Sequence, residues 1–223
     1  MNLLEVYEIL YDHFGPQNWW PGESDFEMII GAILTQQTSW SNVEKAIENL
    51  KKKNLLEPKK IHDVEIEKLQ KLILPSGYYR QKSKKLKNFV NFLLEKHDGK
   101  IENFFEQSLK QLREDLLSVN GIGKETADSI ILYAAKKSIF VIDAYTIRIF
   151  NRLGIIKEKD YEKMRILFEK NLRNDTRLFN EYHALIVKLG KDYCKVKPVC
   201  KKCPLNLRCE YAINFDNSTK GKD

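Results

Sequence analysis

No run of apolar residues in this 223-residue chain approaches the roughly 20 that a bilayer-spanning helix needs, so a membrane is not an expected partner. The opening residues, Met1-Asn-Leu-Leu-Glu-Val6, lack the charged-then-apolar form of a secretion signal. The expected location is therefore the cytoplasm. No segment repeats, and no stretch alternates apolar and polar residues for long enough to make a credible sheet. The expected fold class is all-α. Global disorder is not expected either: 43% of the residues are hydrophobic, enough for a core. The length suits one large domain or two small ones sharing a boundary.

Cysteine is scarce and confined. There are four, all between positions 194 and 209. Structural disulfides would be spread more widely and would need an oxidising compartment. Clustering argues for a metal site instead. The pattern is Cys194-x5-Cys200-x2-Cys203-x5-Cys209, with no histidine in the loop. Four thiolates at this spacing suit either Zn²⁺ or a [4Fe–4S] cluster, and spacing does not separate the two. Either group would have every ligand position filled by protein, so it would act as a clip rather than a hydrolytic centre. Lys191, Lys195, Lys197, Lys201 and Lys202 surround the ligands, and Asp192 is the only acid up to Cys203. Such a loop could hold a phosphate backbone without reading sequence.

Acids are outnumbered by 31 to 38, giving a net charge of +7 and a pI near 9.0. That balance permits a polyanionic partner without proving one. Lysine far outnumbers arginine, which fits a thermophile or an AT-rich genome equally. A second basic run is Arg80, Lys82, Lys84, Lys85 and Lys87, with no acid until Glu95. Most runs of this kind are solvated helix faces, and a DNA contact is the alternative.

Helical periodicity organises the rest. Leu3–Phe14 carries Leu3, Leu4, Tyr7, Leu10 and Tyr11 on one expected face. Ser24 with Glu27 forms a capping box for a helix that is apolar nearly all round and is expected to be central. Ser41 with Glu44 is expected to cap the next helix. Residues 54–60 are expected as a loop, 61–72 as one or two short helices and 81–96 as a long helix. Ser138–Ile142 is expected as an extended linker, Asp143 as the N-cap of a helix reaching Arg152, and 161–172 and 176–189 as the last helices. A polar tail fills 214–223. The helices divide into two expected lobes: residues 20–137, and residues 1–19 together with 138–223.

The most informative stretch is Leu116-Leu-Ser-Val-Asn-Gly121-Ile-Gly123-Lys-Glu-Thr-Ala-Asp-Ser-Ile-Ile-Leu-Tyr133. It reads as helix, tight turn, helix. Gly121 and Gly123 can adopt positive φ and let another backbone approach. Leu116, Leu117, Val119 and Ile122 would lock the two helices together. The turn's N–H groups form a small nest suited to a phosphate oxygen.

The Gly121-Ile-Gly123 turn, Asp143 and the cysteine loop together resemble the helix-hairpin-helix DNA glycosylases of the endonuclease III superfamily, over about residues 23–209. Within it the chain is most similar to a 3-methyladenine glycosylase branch, through Trp19-Trp-Pro21 and Thr35-Gln-Gln-Thr-Ser-Trp40. The resemblance implies a [4Fe–4S] cluster in preference to Zn²⁺, although the first cysteine gap is one residue shorter than usual there. It also implies duplex DNA with a damaged base as partner, a monomer, a place at the nucleoid, and an active site in a cleft between the lobes. Asp143 corresponds to the family's catalytic aspartate. The family's lyases carry a nucleophilic lysine two residues after the second hairpin glycine, and Glu125 stands there.

These likenesses assign roles. Gln37 and Tyr79 would fill the gap left by an extruded nucleotide, since extrusion costs a few kcal/mol of stacking. Gly121, Gly123, Lys124, Arg80 and Lys191 would hold phosphates. Trp20, Pro21 and Trp40 would wall a base pocket, with Glu125 beside it. An alkylated purine is cationic, so ring faces attract it by about 0.5–2 kcal/mol when desolvated. It is also a good leaving group and needs no general acid. One carboxylate can stabilise the oxocarbenium sugar and deliver water. Glutamate at 125 cannot form an imine, so strand cleavage is not expected. Bland roles stand beside each: core filler for the tryptophans, a buried helix-capping amide for Gln37, a plain N-cap for Asp143. Two other functions compete: a glycosylase with AP lyase activity on oxidised pyrimidines, and a non-catalytic DNA-binding module.

Overall fold

The structure, a computed structural model of the chain, describes residues 1–19 and 22–214. Trp20, Pro21 and most of the expected polar tail, after Asn214, lie outside the described residues. The fold is all-α, and the described residues contain no strand. The chain divides into two units, Met1–Trp19 with Ser138–Asp223, and Trp20–Lys137.

Within Trp20–Lys137 the centre is α2 (Asp25–Leu34). Phe26, Ile29, Ile30, Ile33 and Leu34 are buried around its whole circumference, as a helix apolar on every side requires. It packs against α3 (Trp40–Lys52), α6 (Tyr79–His97) and the hairpin's second helix α9 (Lys124–Ser129). Ser24 accepts from the Glu27 amide at 3.2 Å, but the Glu27 carboxylate turns to Lys51 at 3.0 Å, so only half of the expected capping box forms. The helix expected to start at Ser41 starts at Trp40, behind Ser39. Proline at the first position starts α4 (Pro58–Asp63) inside the expected loop. After α5 (Ile66–Ile73), a 3₁₀ turn at Leu74–Ser76 leads to α6. The short α7 (Ile101–Phe105) was not expected from periodicity. It precedes α8 (Leu109–Ser118), the hairpin's first helix.

In the other unit, α1 (Leu3–Phe14) packs on α12 (Thr176–Asp192), which also packs on α10 (Ala144–Leu153). The buried face of α1 is Leu3, Val6 and Leu10. Leu4 is 46% exposed and Tyr11 38%, so the expected face is rotated. The segment after Ser138 is extended, and Ile139, Phe140, Val141 and Ile142 are all buried. Phe140 stacks on Phe168 of α11 (Tyr161–Asn171) at 4.2 Å between centroids and meets Phe179 edge-on at 5.3 Å. Its amide donates to Glu169 at 3.0 Å. Burying four apolar side chains and pairing this backbone fixes the path of the strand-like segment that ends at Asp143.

Candidate active site

Asp143 ends that buried segment and caps α10. Its Oδ1 accepts from the Thr146 amide at 2.7 Å and from the Thr146 hydroxyl at 2.8 Å. The residue is only 8% exposed. Its second oxygen faces His183 Nε2 of α12 at 3.6 Å, an ion pair when the imidazole is protonated and too long for a direct hydrogen bond. Burial works to raise the Asp143 carboxyl. His183, followed by the two Thr146 bonds, outweighs burial and holds the group below its ordinary value. The result is a buried, ionised carboxylate at neutral pH. The Trp19 ring lies 5.4 Å from the His183 ring, so the first tryptophan of the Trp-Trp-Pro motif belongs to this cluster.

His183 was not foreseen. The only trace in the sequence is a lone histidine in the apolar run Tyr182-His-Ala-Leu-Ile186. Its effect is testable. A carboxyl depressed in the fold is active, and adds stability, above its unfolded pKa, and both are lost as pH falls through the folded value. In His183→Ala, burial of Asp143 is opposed by Thr146 alone. The acid limb of the kcat/KM profile should move to higher pH, with activity lost more at mildly acidic than at neutral pH. A pH–rate profile of both proteins checks this.

In the hairpin, Leu116, Val119 and Ile122 are buried as expected and Leu117 is partly covered. Gly121 has φ +98, and a Cβ there would collide with the Lys85 stem. Gly123, expected to share this freedom, has φ −93 and ψ 177, an ordinary extended N-cap. It has no capping side chain, and a Cβ there would meet nothing. Its use is thus an open face over the first N–H groups of α9. Gly123, Lys124 and Glu125 are exposed together. The helix runs on through a π-helical turn, Ile130–Ala134. Arg113 of α8 donates to both oxygens of the fully buried Asp128 of α9, at 2.7 and 3.2 Å, and pins the two helices.

Gln37 is exposed with φ +54, so it is not the buried helix-capping amide considered above. Its neighbour Gln36 is the structural amide. It donates to Thr126 Oγ1 at 2.9 Å and to the Gly121 carbonyl at 3.4 Å, and accepts from Lys85 Nζ. In the turn before α6, Tyr78 is 60% exposed with φ +44. Tyr79 is half-buried, within α6, with the Arg80 guanidinium 5.8 Å from its ring centroid. Non-glycine residues in this left-handed region cost about 1–2 kcal/mol each. Both exposed turns therefore carry strain at the residue they display. Trp40 sits against Gly31, where a Cβ would come within 3.2 Å of the ring.

The basic run at 80–87 is not one solvated face. Arg80 and Lys84 are exposed, Lys87 donates to the His62 and Val64 carbonyls, and Lys82 is buried. Around the cysteines, Lys191, Lys195, Lys197, Lys201 and Lys202 are all exposed. The four cysteines line one recess with Arg152, Tyr193 and Tyr211. Among the described residues no three His, Cys, Asp or Glu side chains form a closed metal-ligand set. The donors are nevertheless of one kind. No carboxylate or imidazole lines the recess, which is the composition that thiolate-bound zinc or iron requires. Arg152 ties the loop to α10 through the Lys195 and Val196 carbonyls, at 2.6 and 3.0 Å, and reaches Cys194 Sγ at 3.4 Å.

Comparison with known proteins identifies the family. Residues 30–174 match the model of the HhH-GPD superfamily base excision DNA repair proteins. A Methanocaldococcus jannaschii protein provisionally named a DNA repair glycosylase is 50% identical over 210 residues, covering 93% of this chain and 95% of its own. Endonuclease III of Thermotoga maritima is 31% identical, covering 83% of each chain. The crystal structure of H. pylori 3-methyladenine DNA glycosylase bound to 1,N6-ethenoadenine superposes with a TM-score of 0.77 at 33% identity, covering 86% of this chain and 98% of that one. With a buried carboxylate capping a helix and a glycine hairpin open at a helix N-terminus, the chain belongs to the HhH-GPD superfamily of base excision DNA repair proteins and is a DNA glycosylase.

Proposed function

We propose that this glycosylase hydrolyses the N-glycosidic bond of an extruded alkylated purine, such as 3-methyladenine, and leaves the DNA strand intact. The observation that carries this is the ionised Asp143, held by Thr146 and His183 in a buried setting. A carboxylate so placed stabilises the developing oxocarbenium sugar more than it would in water, and can orient the attacking water. A cationic base leaves without protonation, so no second acid is required.

Glu125 supports the monofunctional outcome. It occupies an exposed place in the first turn of α9 and has no nucleophilic nitrogen. Lys124 is adjacent, but one residue along a helix turns the side chain by about 100°, toward a phosphate. Trp20, Pro21 and Trp40, with Glu125, are the proposed base pocket. Gly121, Gly123, Lys124, Arg80 and Lys191 are the proposed phosphate contacts. Gln37 and the tyrosine turn insert into the duplex. Their exposure and their left-handed backbone favour Tyr78 over Tyr79 as the inserting ring. The similarity to the 3-methyladenine enzyme supports the purine preference.

Cys194, Cys200, Cys203 and Cys209 would hold a [4Fe–4S] cluster, with Zn²⁺ the lesser fit. Such a group supplies rigidity to the lysine-bearing loop, and the hydrolysis proceeds on Asp143. Borohydride trapping tests the strand-intact outcome. Incubation with damaged duplex and borohydride should give no covalent protein–DNA adduct. An adduct that disappears in Lys124→Ala would assign the lyase activity instead.

A further inference from the structure

Lys82 has no part in the chemistry proposed above. It is 2% exposed, a burial that lysine almost never reaches without partners. Its ammonium donates to the Leu34 carbonyl at 2.8 Å and to the Ser76 carbonyl at 2.6 Å. Leu34 is the last residue of α2, where carbonyls lack helical partners and the helix dipole favours a cation. Ser76 ends the 3₁₀ turn before Gly77. Three residues beyond Leu34 stands Gln37, and two beyond Ser76 stands Tyr78, the two exposed left-handed residues of these turns.

We propose that Lys82 is a positioning residue that fixes the two DNA-inserting turns, 35–38 and 76–79, at one separation. This rests on the insertion role proposed above for Gln37 and Tyr78. A single buried cation shared by the roots of both turns transmits the position of each to the other. Without it the roots of the two turns share no side chain, and two helix-end carbonyls lose their donor. The strained φ at Gln37 and Tyr78 then has less to hold it, and either turn can relax away from the duplex. The next helical turn repeats the device, since Lys85 bonds Gln36, which bonds the hairpin at Thr126. Burial, with Lys85 adding repulsion, lowers the Lys82 pKa to about 8, so the amine remains mostly charged at neutral pH. Enclosed by carbonyls, it is not placed to attack a sugar.

The test compares two duplexes carrying one 3-methyladenine, one paired opposite thymine and one with the lesion in a single-nucleotide bulge. The bulged base has no pairing partner to leave and no gap opposite a base to fill, so insertion contributes little to its release. Single-turnover release by full-length Lys82→Met should fall about tenfold or more on the paired duplex and stay within about twofold on the bulge. Lys82→Arg keeps the charge but alters the reach, and should give a smaller split of the same kind. It also serves as the deciding variant if Lys82→Met does not fold. An equal loss on both duplexes, or no loss on either, would overturn the proposal. Tyr78→Ala is the internal control. If it shows the split and the Lys82 variants do not, only the role of Lys82 fails. If neither shows it, the insertion role itself falls.

Discussion

Asp143→Asn should slow base release by about 10³-fold, the scale of losing a positioned carboxylate that acts as base and electrostatic stabiliser. The substitution isolates charge from structure. Asparagine is as good an N-cap as aspartate, so the Thr146 bonds that hold Asp143 Oδ1 can persist. Folding and affinity for damaged duplex should then stay near wild type while the chemical step collapses. Single-turnover release, a binding isotherm and a melting curve on the same preparation separate the three. A mutant that releases base as fast as wild type would mean that Asp143 is only a cap and that another group carries the chemistry.

Arg113→Ala should cost about 3–5 kcal/mol of stability, because it takes two charge-assisted hydrogen bonds from the fully buried Asp128 carboxylate. At about 2–4 °C per kcal/mol for a chain of this size, the melting temperature should drop by about 6–20 °C. The size of the effect comes from the charge left behind rather than from the bond removed. Arg113→Met combined with Asp128→Leu should therefore recover much of the loss. Chemical denaturation of the single and double variants measures both terms. A single variant within about 0.5 kcal/mol of wild type, the range of ordinary surface changes, would mean that the Arg113–Asp128 pair is not what holds the hairpin.

Much of the architecture could be read from the sequence because its signals are local. An all-round apolar α2 has nowhere to go but the interior, and Ser24 marks its start. The hairpin announces itself by Gly121, and Asp143 by its place between a β-branched run and a helical period. Local signals also misled. Leu4 and Tyr11 fit the α1 stripe as well as Val6 does, but packing on α12 selects Val6. Gly123 looks like a second conformational switch and is a plain extended cap. Two important groups left no usable trace, because their meaning depends on contacts far along the chain. His183 lies forty residues from Asp143, and Lys82 is hidden within a run of cations that looks solvated throughout. A buried lysine and a surface lysine differ only in the carbonyls that meet them.

The most direct test of the hydrolytic mechanism is the product of one turnover on a duplex carrying a single 3-methyladenine, scored for free base and for strand length before and after alkali. Hydrolysis at Asp143 predicts stoichiometric free base, a full-length strand before alkali and a cleaved strand after it; over the same interval Asp143→Asn should give almost no free base and a strand that stays full-length after alkali. Strand cleavage that accompanies base release without alkali would contradict it.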